Sequence, residues 1–227
     1  MQAAPGVYAI RTVGCTVYLL GGIELTLIDA GGPGSARRIL SVIRRLEHRP
    51  QDLARIFLTH VDLDHVGGLA ALVAATGARV FAHPEALRRL AAGDIPRGER
   101  GIRSSLVALR RLFASAAAPP TGEALADGME LNILGGLDVI FTAGHSPDHV
   151  AYFLRQSRLV LAGDLLIVQR RHLQPQPGPT PEERAQTVLA LRRLAALNPL
   201  AVLPAHGLPY RNNIPLRLVR LAEILEE

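Results

Sequence analysis

The pattern of this chain predicts an α+β fold, an αββα sandwich of two mixed β-sheets lying face to face with helices outside them. Three observations carry that expectation. Two β-rich halves are each followed by helical stretches, and a sheet with one apolar face must bury it against a second layer. Four apolar runs end in His or Asp, as expected if polar side chains gather along one edge of a sheet. A chain of 227 residues, 48% of them hydrophobic, is long enough for one sizeable core.

The elements follow in order. Residues 7–12, 16–20 and 24–29 alternate or run apolar and read as strands, with Gly21-Gly22 as the turn between the last two. After a turn at 31–34, Ser35 is placed to cap a helix reaching about residue 47. Residues 53–59 form the next strand, 65–76 a helix stopped by Gly77, and 79–82 a short strand. Residues 84–120 interrupt the alternation with two expected helices, 84–92 and 102–114, closed by Pro119-Pro120. We read this as a helical cover inserted into a single domain spanning 1–227. Strands return at 130–134, 137–142, 150–154 and 159–162. A Pro-rich loop at 175–181 leads to Thr180 as a helix cap, and that helix runs to about residue 196. A last strand at 201–203 and a final helix at 214–225 complete the chain.

Composition narrows the function classes. Cys15 is the only cysteine, so no disulfide framework can form within the chain. Cys15 lies in a strand-like run and reads as buried packing. No basic segment followed by an apolar core opens the sequence, and no apolar stretch reaches the length of a membrane span. A cytoplasmic protein without a membrane partner is expected. The net charge of +5 resides almost wholly on arginines, mostly on amphipathic helices where a solvated face explains them. Aromatic residues make up 4% and Trp is absent, so base-stacking surfaces, and nucleic acid as a partner, are not expected. The Leu-rich final helix (Leu216, Leu218, Leu221, Leu225) raises the expectation of a homodimer.

The chemistry concentrates between Thr59 and Gly68. His60, Asp62, Asp64 and His65 put four metal-ligand types into six positions, directly after the apolar Ile56-Phe57-Leu58. In an extended segment His60 and Asp62 project to one side, whereas adjacent Asp64 and His65 diverge. That spacing suits two neighbouring ions better than one. Downstream, apolar runs deliver His145, Asp164 and His206. The seven residues could hold two divalent ions with Asp164 between them. His83, His48 and His172 read as structural or surface residues.

These motifs, Thr-His-x-Asp-x-Asp-His-x-Gly-Gly at 59–68, Gly144-His145, Gly163-Asp164 and His206-Gly207, resemble those of the metallo-β-lactamase superfamily over about residues 16–207. Leu27-Ile28-Asp29-Ala30-Gly31 is similar to that family's second-strand signature. The resemblance implies the αββα fold and the ligand set His60, Asp62, Asp64, His65, His145, Asp164 and His206. It also implies His149 as a supporting residue that does not itself ligate. The implied activity is that of a small glyoxalase-II-like or lactonase-like hydrolase, using a metal-bound hydroxide on an ester, thioester or lactone, with Asp64 also orienting water or shuttling a proton. One departure stands out: Asp62 occupies the place of the family's second histidine. Zn2+ is the first expectation for the metal, and the harder oxygen of Asp62 opens Fe or Mn. Iron-dependent oxygen or sulfur chemistry, or a metal-dependent nuclease, are the alternatives. The expected partner is a small, anionic substrate, with Arg170 and Arg171, shortly after Asp164, as candidate contacts.

Overall fold

The computed structural model describes residues 1–95 and 122–227. Seven strands form the first sheet in chain order: β1 (Gln2–Ala4), β2 (Val7–Arg11), β3 (Thr16–Leu20), β4 (Leu25–Ile28), β5 (Leu53–Phe57), β6 (Arg79–Ala82) and β7 (Gly122–Ala124). Pairing is antiparallel from β1 to β4 and parallel from β4 to β7. Each parallel step needs a crossover. Helix α1 (Ser35–Arg45) supplies the one from β4 to β5, and α2 (Leu63–Val66) with α3 (Leu69–Thr76) the one from β5 to β6. Helix α4 (Pro84–Ala92) follows β6.

The second sheet contains β8 (Glu130–Leu131), β9 (Leu137–Phe141), β10 (Val150–Leu154), β11 (Leu159–Gly163) and β14 (Ala201–Pro204), in the order β14-β11-β10-β9-β8. A separate hairpin of β12 (Leu166–Gln169) and β13 (His172–Pro175), then helix α5 (Pro181–Ala196), connects β11 to its parallel neighbour β14. Helix α6 (Ile214–Glu226) ends the chain. Among the described residues no helix is long and apolar enough to cross a membrane.

Three apolar layers make this an αββα sandwich. Ile39, Ile43 and Leu72 pack with Leu19, Leu27 and Ile56 between the first sheet and its helices. Leu191, Leu194, Leu218 and Leu221 pack with Val160 and Val202 behind the second sheet. Between the sheets lie Tyr18, Phe57, Tyr152, Leu161 and Leu203, with Phe57 and Tyr152 meeting edge to face at 5.8 Å. The strands β10 and β11 are buried along their whole length, so they read as continuous apolar runs without alternation.

Four hydrogen bonds cross from one sheet to the other near the edge where the ligand loops leave. Tyr18 Oη donates to the Pro204 carbonyl at 2.7 Å and Tyr152 Oη to the Leu58 carbonyl at 2.6 Å. The amides of Thr16 and Val150 donate to the carbonyls of Ala205 and Thr59 at 2.8 and 2.7 Å. Strand ends from both sheets are thereby fastened together at the place where polar side chains collect.

Several sequence expectations need correction. Ser35 is the first residue of α1 rather than its cap: Gly34, at φ 87°, holds the cap position, and Ser35 Oγ accepts from the Val13 amide at 3.2 Å. The helix expected over 65–76 is two pieces broken at Gly67 and Gly68. Side chains there would strike Pro33 and the Ala30 carbonyl, so the break lets the chain pass close to the β4 exit. Strands β1, β7, β12 and β13 were not expected, being short segments whose pairing depends on neighbours distant in sequence. The capping box at Thr180 is present: its Oγ1 accepts from the Glu183 amide at 3.1 Å, and the Glu183 carboxylate accepts from the Thr180 amide at 3.0 Å. Such a cap contributes about 1 kcal/mol. Of the final helix's leucines, Leu218 and Leu221 are buried in the molecule's own core, Leu225 packs at its edge and Leu216 stays exposed. Of the 84–120 cover, α4 is present; the helix expected at 102–114 and Arg97, Arg100 and Arg103 lie outside the described residues.

Candidate metal centre

Each expected ligand sits at a strand exit. His60 and Asp62 follow β5, Asp64 and His65 lie in α2, His145 follows β9, Asp164 follows β11 and His206 follows β14. All seven converge. Three sets of ligand atoms lie mutually within 4.8 Å: His60 with Asp62 and His145, His60 with His65 and Asp164, and Asp64 with His65 and His206. The sets share His60 and His65, so they form one continuous cluster. Asp164 stands at its centre, with Oδ1 3.2 Å from His65 Nε2, and Oδ2 3.1 Å from His206 Nε2 and 3.9 Å from His145 Nε2. Asp62 Oδ2 is 3.6 Å from His60 Nε2, and Asp64 Oδ2 is 3.5 Å from His206 Nε2. The shorter Asp62 carboxylate therefore reaches the cluster.

The ring nitrogens remote from the cluster are held from behind. Asp29 Oδ2 lies 2.9 Å from His65 Nδ1, and the same carboxylate accepts from the Thr59 amide and hydroxyl at 2.7 and 2.8 Å. Thr59 Oγ1 lies 3.0 Å from His60 Nδ1, and the Gln176 carbonyl is 3.2 Å from His145 Nδ1. With Nδ1 so engaged, Nε2 of each ring is turned inward as a donor atom.

His149 is fully enclosed and supports the cluster without adding a ligand. Its Nε2 accepts from the amides of Asp164 and Leu165 at 3.1 and 3.3 Å, and its Nδ1 lies 2.8 Å from Thr142 Oγ1. Burial, then the nearby His60 and His145, push its pKa well below the ordinary value, so the ring stays neutral and accepts. Gly163 sits at φ 50°, and a side chain there would come within 2.6 Å of His149 Nε2. Only glycine lets Asp164 leave the strand so close to that ring.

Glycine is also needed beside Asp64. Gly14, at φ 90°, has no room for a Cβ against the Asp64 Cβ, and the Cys15 thiol donates to the Asp64 carbonyl at 3.0 Å. Burial raises that thiol to about 12, which leaves it a packing group and a hydrogen-bond donor.

The electrostatics favour a cation. Asp29, Asp62, Asp64 and Asp164 surround the histidines, and no Lys or Arg makes an ion pair with any of them among the described residues. Burial alone would raise Asp164, but His65 and His206 hold it well below the usual carboxylate range. Burial likewise opposes ionisation of Asp62 and is outweighed by His60 and His145. For His65, burial opposes charge, yet the Asp164 and Asp29 carboxylates push its pKa well up. A proton on His65 and a metal ion in the cluster would answer the same negative potential. His60 Nε2, His65 Nε2 and Asp164 Oδ1 are buried without a conventional hydrogen-bond partner, the last two facing each other at 3.2 Å. Orphaned buried polar atoms are costly in a folded protein, and these aim at one another in the geometry of a donor set. Imidazole and carboxylate together fit zinc, iron or manganese.

Arg170 and Arg171 lie on the hairpin whose Val168 amide donates to the His206 carbonyl at 2.9 Å. Both have positive φ at the exposed tip of the β12–β13 hairpin and make no ion pair or hydrogen bond among the described residues. His83 caps α4 through Nδ1, which accepts from the Glu85 amide at 3.1 Å, and its ring packs 4.2 Å from Phe141. The roles of Asp29, Thr59 and Asp148 behind the cluster come from contacts between distant segments. Asp29 carried a usable signal, since it also follows an apolar strand.

A buried imidazole–carboxylate cluster at the edge of an αββα sandwich defines a metal-binding enzyme fold. A family model described as the metallo-beta-lactamase superfamily matches residues 10–206, and the chain belongs to that superfamily. It is 28% identical over 230 residues to the probable metallo-hydrolase YflN of Bacillus subtilis, covering 92% of this chain and 86% of that protein. It is 27% identical over 202 residues to the atrochrysone carboxyl ACP thioesterase of Aspergillus fumigatus, covering 88% of this chain but 52% of that one. Among solved structures, a metallo-beta-lactamase family protein from Thermus thermophilus superposes with a TM-score of 0.73 at 25% identity, over 98% of this chain and 80% of that one.

Proposed function

We propose that this chain is a binuclear metallo-hydrolase acting on a small ester-like substrate, with thioesters the first class to test. The observation that carries this is the pair of ligand sets, His60–Asp62–His145 and Asp64–His65–His206, joined through Asp164. The probable metallo-hydrolase and the thioesterase among its relatives support the reaction class. Bound divalent ions would supply Lewis acidity toward a carbonyl oxygen and would lower the pKa of water to about 7.

The chain's own residues have separable tasks. His60, Asp62 and His145 would hold one ion, Asp64, His65 and His206 the other, and Asp164 both. Asp64, whose side chain is 23% exposed, is the most open carboxylate of the cluster and is placed to take and return a proton at Oδ2. Asp29 and Thr59 keep His65 and His60 in the tautomers that present Nε2 inward. Zinc is the metal we propose first. Asp62 supports a second reading, iron or manganese, because it supplies a hard oxygen where an imidazole would be softer.

The test is metal content per chain by elemental mass spectrometry, followed by ester, thioester and lactone assays with and without chelator. Near two zinc ions and chelator-sensitive thioester hydrolysis is the expected result. Mostly iron moves the reading to oxygen or sulfur chemistry. A chain that stays metal-free after reconstitution overturns it.

A further inference from the structure

We propose that Arg89 is a positioning residue of the metal centre, acting through Asp148 on the peptide between His60 and Asp62. The proposal rests on the reading of those two residues as ligands. Arg89 lies on α4 and is the one buried Arg or Lys among the described residues, at 8% exposure. Its Nη1 donates to Asp148 Oδ1 at 2.7 Å, and the other oxygen, Oδ2, accepts from the Val61 amide at 2.9 Å. Asp148 is fully buried. A single carboxylate thus spends one oxygen on a guanidinium and the other on a backbone N–H.

The placement of that N–H gives the contact its meaning. Asp29 Oδ1 accepts from the amide of Thr59, and Asp148 Oδ2 from the amide of Val61. His60 stands between two peptide groups, each fastened by a buried carboxylate. The clamps differ in how their charge is balanced. Asp29 faces His65 within the cluster, so its environment changes when a cation binds. Asp148 is balanced by Arg89, whose ion pairs are with Asp148 and the exposed Asp94 and with no candidate ligand. The second clamp is therefore set before any ion arrives, and preorganised ligands bind more tightly than ligands that must be ordered. Asp148 also immediately precedes His149, the ring that holds the Asp164 amide, so one short loop positions backbone on both sides of the cluster. Burial against Asp148 sets Arg89 apart from the solvated arginines of the other helix faces.

The test compares the full-length wild type with Arg89→Met, Asp148→Asn and the double variant. In metal-free protein, exchange of the Val61 amide hydrogen is followed by NMR against a core amide such as Leu161. Loss of the clamp is expected to speed Val61 exchange at least about tenfold while Leu161 is unchanged. Binding of Zn2+ to the same proteins is expected to weaken about 10- to 100-fold, the usual effect of losing a partner behind a ligand. Arg89→Met leaves Asp148 charged and unpaired and could unfold the chain, so the double variant decides. It has no stranded charge and keeps an amide oxygen that could meet Val61, but nothing anchors that oxygen. Weak Zn2+ binding and fast Val61 exchange in a folded double variant support the proposal. Wild-type Zn2+ affinity and wild-type Val61 protection there overturn it, leaving Arg89 a structural ion pair. Because Val61 exchange is read without metal, a wild type that binds no Zn2+ defeats the ligand reading while the clamp is still judged on its own.

Discussion

The Asp62 side and the Asp64 side of the cluster differ in what stands behind their ligands. On the Asp64 side, a carboxylate backs His65, and Gly14 and Cys15 pack directly against Asp64. On the Asp62 side, the partners of His60 and His145 are a hydroxyl and a carbonyl, and Asp62 has His60 at 3.6 Å as its close partner. A carboxylate behind an imidazole raises its basicity and fixes its direction more firmly than a neutral group does. The two halves are thus prepared differently, the Asp64 side by a carboxylate behind an imidazole and the Asp62 side by the Asp148 carboxylate on the Val61 amide. The departure from a histidine at Asp62 falls on the half whose imidazoles have neutral partners, so on the binuclear reading the two sites are expected to differ in affinity.

That asymmetry can be broken or sharpened by substitution. Asp164→Ala removes the group common to both halves. Activity should fall by more than the roughly 100-fold typical of losing a partner behind a ligand, and metal content should drop below one ion per chain by elemental analysis. Asp29→Ala takes the backing from His65 and from Thr59 together. Metal affinity, measured by competition with a chelator, should weaken by about 10- to 100-fold, chiefly for the ion on the His65 side. Gly14→Ala presses a Cβ into Asp64 at a backbone angle that favours glycine. It should cost the Asp64-side ion about tenfold in affinity and leave the Asp62-side ion near its original value in a two-site titration. Asp62→His should raise the preference for zinc over manganese by about tenfold, the low end of the range over which local partners tune a metal. Equal affinities for both ions in the unaltered chain, or a response of both sites to Gly14→Ala, would remove the distinction between the halves.

Much of the cluster was legible because its chemistry is local. His60, Asp62, Asp64 and His65 lie within six residues after one buried strand, and His145, Asp164 and His206 each follow another. Strand ends of the two packed sheets meet along a common edge, so residues at those ends meet as well. The supporting groups were harder to read. Asp29 and Thr59 are 30 residues apart, Asp148 and Val61 87, and Arg89 and Asp148 59. Nothing in the spacing of an isolated Arg on a helix distinguishes a solvated charge from a buried pair. Arg170 and Arg171 are near Asp164 in sequence, and only the pairing of β12 with β13 puts them at a hairpin tip.

The sequence by itself determined the layers and the order of the candidate ligands, because apolar periodicity and residue chemistry are properties of short windows. Only the tertiary structure decided which nitrogen of each histidine faces inward, which carboxylates stand behind the ligands, and that the final helix covers its own core. Those outcomes depend on contacts between distant segments, where burial makes every unpaired polar group costly and so selects one partner among many.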